Sequence, residues 1–181
     1  MKLHLREDDS DEDTLIESLI GAAESYTETY TRRALLSQQF KMYLDCFPSS
    51  ALAIFLPRSP LISLDEIAYT DENGDAQTMN LTTEVQVDEI DSAPPRITLK
   101  NQQSWPNTLL EANAVSITFT VGYGTLTTDI PKALIAAMKL LVATWFENRE
   151  NIAAGFPVSV IPFTATTLLD TERIYEVKVD P

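Results

Sequence analysis

A chain of 181 residues with 27 Asp and Glu against 13 Lys and Arg carries a formal net charge of −14, and 44% of it is apolar. The length suits one domain or a core with a small appendage, and the apolar fraction excludes a disordered acidic tail. The charge excludes a reader of nucleic-acid sequence, which needs clustered Lys and Arg to neutralise phosphates.

The single cysteine, Cys46, has no partner within the chain, so an internal disulfide framework is excluded and a reducing origin is expected. No apolar run reaches the roughly 18 residues of a membrane span, and Met1 to Arg6 leads directly into acid. Neither a transmembrane segment nor a secretory signal is expected. The acid is concentrated in two blocks. Glu7, Asp8, Asp9, Asp11, Glu12 and Asp13 form the first; the second extends from Asp65 to Asp91, and no Lys, Arg or His lies between Arg58 and Arg96. Such blocks form either a solvated face or a surface that repels a polyanion moving past it.

After the first block, Leu15, Ile16, Leu19, Ile20, Ala23, Tyr26 and Tyr30 recur at helical spacing and predict a helix from Asp11 to Arg33. Ser10 with Asp13 resembles a capping box, and Arg32 and Arg33 suit the negative end of the helix dipole. From Gln39 the period becomes two. Phe40, Met42, Leu44 and Cys46 share the apolar side of a strand, on which Cys46 is expected as a buried, inert thiol. Short strands follow at Leu52 to Leu56 and Leu64 to Thr70. Asn73-Gly74 is a hairpin signal, with a return over Ala76 to Leu81. Val85 and Val87, Arg96 to Leu99 and the alternating Ala114 to Val121 complete a mostly antiparallel β unit.

The helical period returns after Gly122-Tyr123-Gly124. Asp129 can cap, Pro131 suits the first helical position, and Leu134, Ile135, Met138, Leu141, Val142, Trp145 and Phe146 follow. With Lys139 the only charge between Lys132 and Glu147, this helix is apolar nearly all round and is expected to be buried on most sides. Beyond it, Thr167 to Asp170 reads as a short turn, and Tyr175 to Val179 as a strand or an arm. The expected fold is α+β. A long N-terminal helix and a buried central helix form a helical core (1–36 and 125–155), with an inserted β unit (37–124) and a C-terminal arm (156–181).

Catalytic chemistry finds little purchase. His4 is the only histidine, so every triad or multi-histidine metal site would have to be built around one terminal residue. Asp71-x-Asn73-x-Asp75 imitates the start of a calcium loop, yet its glycine is at the fourth position and the twelfth is Thr82, which supplies no bidentate carboxylate. Gly122-Tyr123-Gly124 is too short for a phosphate cradle. No catalytic residue, metal or cofactor is expected. Trp145 and Phe146 read as core, and Tyr26 and Tyr30 as either core or an intersubunit contact.

The order of these segments resembles the head-tail connector (head-completion or adaptor) proteins of tailed bacteriophages and prophages. The match is carried by Leu5-Arg6 with the following acids, and by Thr31-Arg32-Arg33, where the family often has Thr-Gly-Arg. Leu56-Pro57-Arg58-Ser59-Pro60-Leu61, Ile67-x-Tyr69-x-Asp71-x-x-Gly74 and Gly122-Tyr123-Gly124 follow. Ile130-Pro131 then opens the helix that ends Trp145-Phe146-Glu147-Asn148-Arg149-Glu150.

The resemblance implies a structural virion protein that forms a ring, typically dodecameric, under the portal. The ring extends the DNA channel and offers a platform to a tail or stopper protein. It implies residence in the virion, after a period in the host cytoplasm, with no membrane partner. On that reading Leu15, Ile16, Leu19, Ile20, Ala23, Tyr26, Tyr30, Met138, Leu141, Trp145 and Phe146 serve the core or the oligomer interface. Glu7, Asp8, Asp9, Asp11, Glu12 and Asp13 are candidate channel-facing acids past which DNA moves unbound. The alternative of another class is an acidic DNA mimic that inhibits a host DNA-binding enzyme. Trp145→Ala is expected to cost about 3–5 kcal/mol, and removal of residues 1–10 to spare the fold while disturbing assembly.

Overall fold

The computed structural model describes residues 1–6, 10–49, 53–89, 93–100, 103–148 and 163–175. A short helix α1 (Lys2–Leu5) precedes the long α2 (Asp13–Thr31), which lies within the predicted span. Its N-cap is Glu12, which makes no side-chain cap hydrogen bond, so the capping box read at Ser10 does not form. Lys2 of α1 instead pairs with Asp13 in the first turn, where a carboxylate also meets the positive end of the helix dipole.

Among the described residues seven strands follow: β1 (Gln38–Leu44), β2 (Ile54–Phe55), β3 (Leu61–Thr70), β4 (Ala76–Thr78), β5 (Val85–Asp88), β6 (Arg96–Leu99) and β7 (Val115–Val121). They form two antiparallel sheets, ordered β1-β7-β3-β4 and β2-β6-β5. In β7, Val115, Ile117, Phe119 and Val121 are fully buried and alternate with half-buried Ser116, Thr118 and Thr120. That alternation fixes the register with β1, since a slip by one residue would turn the apolar set to solvent. Phe40 consequently lies opposite Phe119, with ring centroids 6.1 Å apart. Ile54, Val85 and Ile97 of the smaller sheet join the same apolar cluster. Phe47 closes it, stacked on Trp105 at 5.0 Å and edge-on to Tyr69 at 5.5 Å.

Cys46 corrects its expectation. β1 ends at Leu44, two residues too early to carry Cys46 inward, and the thiol is exposed.

Gly122 has φ 128 and lies against the Leu36 carbonyl, where a Cβ would collide with the backbone. Gly-Tyr-Gly is therefore a tight crossing between β7 and the segment leading into β1, rather than a ligand cradle. A 3-10 turn (Thr127–Asp129) leads to α3 (Lys132–Glu147), whose N-cap is Pro131. Asp129 does not cap α3. Its Oδ2 accepts a hydrogen bond from Leu126 N at 3.1 Å, within the turn itself. The predicted turn at Thr167 to Asp170 is part of a helix, α4 (Phe163–Asp170). Ala165 and Leu169 of α4 are fully buried in a second apolar cluster with Ala23, Leu35, Ile130, Leu134, Ala137, Leu141 and Val142. The α+β class holds, with one cluster inside the sheets and one among α2, α3 and α4.

Candidate assembly surfaces

Packing of α2 on α3 follows from their apolar stripes. Ile16, Ala23, Leu134, Ala137, Leu141 and Val142 are buried. Leu15, Leu19, Ile20, Tyr26, Tyr30, Ile135, Met138, Leu140, Trp145 and Phe146 remain only half-buried. The all-round burial expected of α3 is thus not achieved within the described chain.

Between the helices Met1, Ile20, Ala23, Ile135, Met138 and Val142 line an apolar groove of about 420 Å³, with Glu24 and Lys139 at its polar margin. Ile20, Ala23 and Met138 are the sequence-predicted residues that meet in it. Trp145 and the tyrosines lie elsewhere. Tyr26 stacks on Tyr30 at 5.7 Å and meets Trp145 edge-on at 6.3 Å. The Tyr30 hydroxyl donates to Asp170 Oδ1 at 2.8 Å, and the Arg173 guanidinium lies 4.6 Å from the Tyr30 ring centroid. This bond to Asp170, aided by burial, raises the Tyr30 pKa; burial raises that of Tyr26. The two tyrosines therefore tie α2 to α3 and α4 while keeping exposed edges.

The acids divide unevenly. Glu7, Asp8 and Asp9 lie outside the described residues; Asp11 is exposed, while Glu12 and Asp13 are half-buried. Much of the second block serves the β unit. Asp88 pairs with Arg96 across β5 and β6, and Glu89 Oε1 accepts from Leu61 N at 2.7 Å. Asp65 accepts from Ser63 Oγ, Gln39 Nε2 and Thr120 Oγ1 at 2.6, 2.9 and 2.8 Å. Desolvation pushes its pKa up, but the three donors outweigh it and hold it below the usual range.

In the calcium-like loop, Asp71 Oδ1 accepts from Asn73 N and Asp75 N at 2.9 and 3.0 Å, and Oδ2 from Gln77 Nε2 at 3.1 Å. Its carboxylate organises the hairpin, chiefly through these backbone donors, which lower its pKa. Among the described residues no cluster of three metal-ligating side chains occurs, and no helix is long and apolar enough to cross a membrane.

Sequence reasoning missed the joint between helices and sheets. Arg32, where the resembling family often has glycine, takes the left-handed conformation itself (φ 60) and ends α2. Arg33 is buried: its Nε donates to the Glu172 carbonyl at 2.6 Å, and its guanidinium lies 5.9 Å from the Tyr123 ring centroid. Burial raises the Tyr123 pKa to about 12. Ile174 N donates to Thr31 O at 3.0 Å, and Ala34 N donates to Ser59 O at 2.8 Å. Glu28 Oε1 accepts from Leu35 N and Gln38 Nε2 at 2.8 and 3.0 Å. The sequence carried two signals: the glycine that the resembling family often has at position 32, and the Arg-Arg pair, which matches an ordinary surface response to the helix dipole.

A family model described as "Phage gp6-like head-tail connector protein" matches residues 1–100. A chain in the solved virion of a native gene transfer agent (GTA) particle is 26% identical, with TM-score 0.77, covering 96% of this chain and 84% of that one. A chain from the neck of an empty GTA particle computed with C6 symmetry is 26% identical at TM-score 0.77, covering 99% and 89%. One from the neck of a native GTA particle computed with C12 symmetry is 25% identical at TM-score 0.72, covering 92% and 85%. No curated protein matches.

Proposed function

The chain belongs to the phage gp6-like head-tail connector family, and from that premise we propose that it assembles as a ring, typically of twelve copies, beneath a portal. It is a structural neck protein rather than an enzyme. In the proposed ring the copies extend the DNA channel and offer a platform to a tail or stopper protein. They reach the virion from the host cytoplasm.

The observation that carries this reading is the likeness of nearly the whole fold to GTA neck chains, one of them in a neck computed with C12 symmetry. The half-buried apolar side chains on α2 and α3 supply its physical support, because a neighbouring copy would cover what the chain leaves open. We assign Leu15, Leu19, Ile20, Tyr26, Tyr30, Met138, Trp145 and Phe146 to subunit contacts, and Ile16, Ala23 and Leu141 to the core beneath them. Asp11, Glu12 and Asp13, with the preceding acids, face the channel in this proposal, where negative charge keeps DNA from sticking. No observation favours the DNA mimic: α3 carries Glu147 as its only carboxylate.

Size-exclusion chromatography with light scattering, run on the protein alone and with isolated portal, tests the proposal. A ring-sized species or assembly on portal is expected. A chain that stays monomeric in both and instead binds a nuclease overturns it.

A further inference from the structure

The two edges of the larger sheet are unlike. β4 is three exposed residues long, and the strand beside it, β3, carries register shifts between Leu61 and Ser63 and between Leu64 and Glu66. Short strands and bulges are ordinary protection for an edge. β1, at the other edge, has seven residues in unbroken register with β7, without proline or glycine. Among the described residues no other strand pairs with it. Its inward side chains, Phe40, Met42 and Leu44, belong to the sheet core but are only half-buried, whereas their partners Phe119, Ile117 and Val115 are fully buried. Among the described residues the core is therefore one strand short on this side.

The sequence holds a segment suited to that place. After Ile174, pinned by its backbone to Thr31, come Tyr175-Glu176-Val177-Lys178-Val179-Asp180-Pro181. Residues 176–181 lie outside the described residues. Val177 and Val179 alternate with Glu176 and Lys178, the pattern of a strand with one apolar side. With the valines turned to Phe40 and Met42, Glu176 falls on the outward face, where Lys41 is the one charge of β1.

We propose that residues 176–180 of one copy add as a strand to the free edge of β1 in the neighbouring copy. This rests on the ring reading above. A closed ring needs two different complementary surfaces on every copy, and a donated tail with an open edge forms such a pair. Backbone hydrogen bonds hold the added strand, and Val177 and Val179 complete the cover over Phe40 and Met42.

Single-cysteine chains test it. Lys41→Cys and Glu176→Cys are each made with Cys46→Ser, one chain bearing a size tag, and are mixed, assembled on portal and oxidised. Every disulfide between positions 41 and 176 then joins two chains. Gln39→Cys and Tyr43→Cys repeat the experiment in neighbouring registers. The expected result is a mixed cross-linked dimer several-fold above either self-dimer, present in assembled and not in dissociated protein. Val177→Pro, which removes a backbone donor, should abolish ring formation with the single-chain melting temperature unchanged. Rings that form without mixed cross-links at all three positions overturn the strand exchange and leave the ring reading standing. A wild-type chain that forms no ring with portal overturns both.

Discussion

Arg32 occupies a backbone conformation that glycine adopts without strain and a residue with a Cβ does not. Arg32→Gly removes both strain and side chain; Arg32→Ala removes the side chain alone. The glycine variant should therefore be the more stable of the two by about 1 kcal/mol, read by urea denaturation of both. A smaller difference, or the reverse order, contradicts the strain at this cap. Tyr123 supplies a pH test. Its pKa is raised to about 12, chiefly by burial, from 10.0. The native chain thus holds its phenolic proton where the unfolded chain has released it, so stability is full below about pH 10 and falls as pH rises towards 12. Tyr123→Phe should flatten that alkaline limb in a series of urea titrations; an unchanged slope would place the proton elsewhere. The cap at Arg32 was signalled by the glycine that the resembling family often has there, whereas the burial of Tyr123 was not legible in the sequence. A phenol is desolvated by what folds over it, and Arg33 and Glu172 are 139 residues apart when they meet.

Among the elements, α3 divides its apolar residues between two uses. Leu141 is fully buried, whereas Trp145 is half-buried with its indole edge-on to Tyr26. Leu141→Ala should cost about 3–5 kcal/mol of folding stability, because the cavity it leaves is enclosed. The figure first expected for Trp145→Ala is too high for a side chain that keeps water contact, and about 2 kcal/mol is the better expectation. Calorimetry on the two variants checks the order. Periodicity revealed α2, α3, β1 and β7 because each hides one face, and side-chain spacing records that directly; β4, exposed along its length, was legible only through the Asn73-Gly74 turn before it. Periodicity concealed α4, where Phe163–Asp170 carries three threonines in eight residues and reads as loop. Contact with α2 and α3 overrides that low propensity. Capping was misread for a related reason: Ser10 and Asp129 have suitable side chains, but Lys2 and Leu126 direct the local geometry.

For the whole molecule, the dominant long-range term between copies is repulsion between chains of −14 each. Salt shortens the screening length to about 8 Å at 0.15 M, so ring formation should strengthen from low to moderate salt, measured by light scattering at fixed protein concentration. Weakening with salt would mean that complementary ion pairs prevail at the interface. Assembly also has an order in time. Leu169 completes the helical cluster and Ile174 ties back to the end of α2, both from after α3, while every described strand lies between Gln38 and Val121. During synthesis the sheets can close before α4 exists, but the face made by α2, α3 and α4 cannot. Because α4 follows every described strand in the sequence, the packing of α2, α3 and α4 can close only after the strands of both sheets have been made.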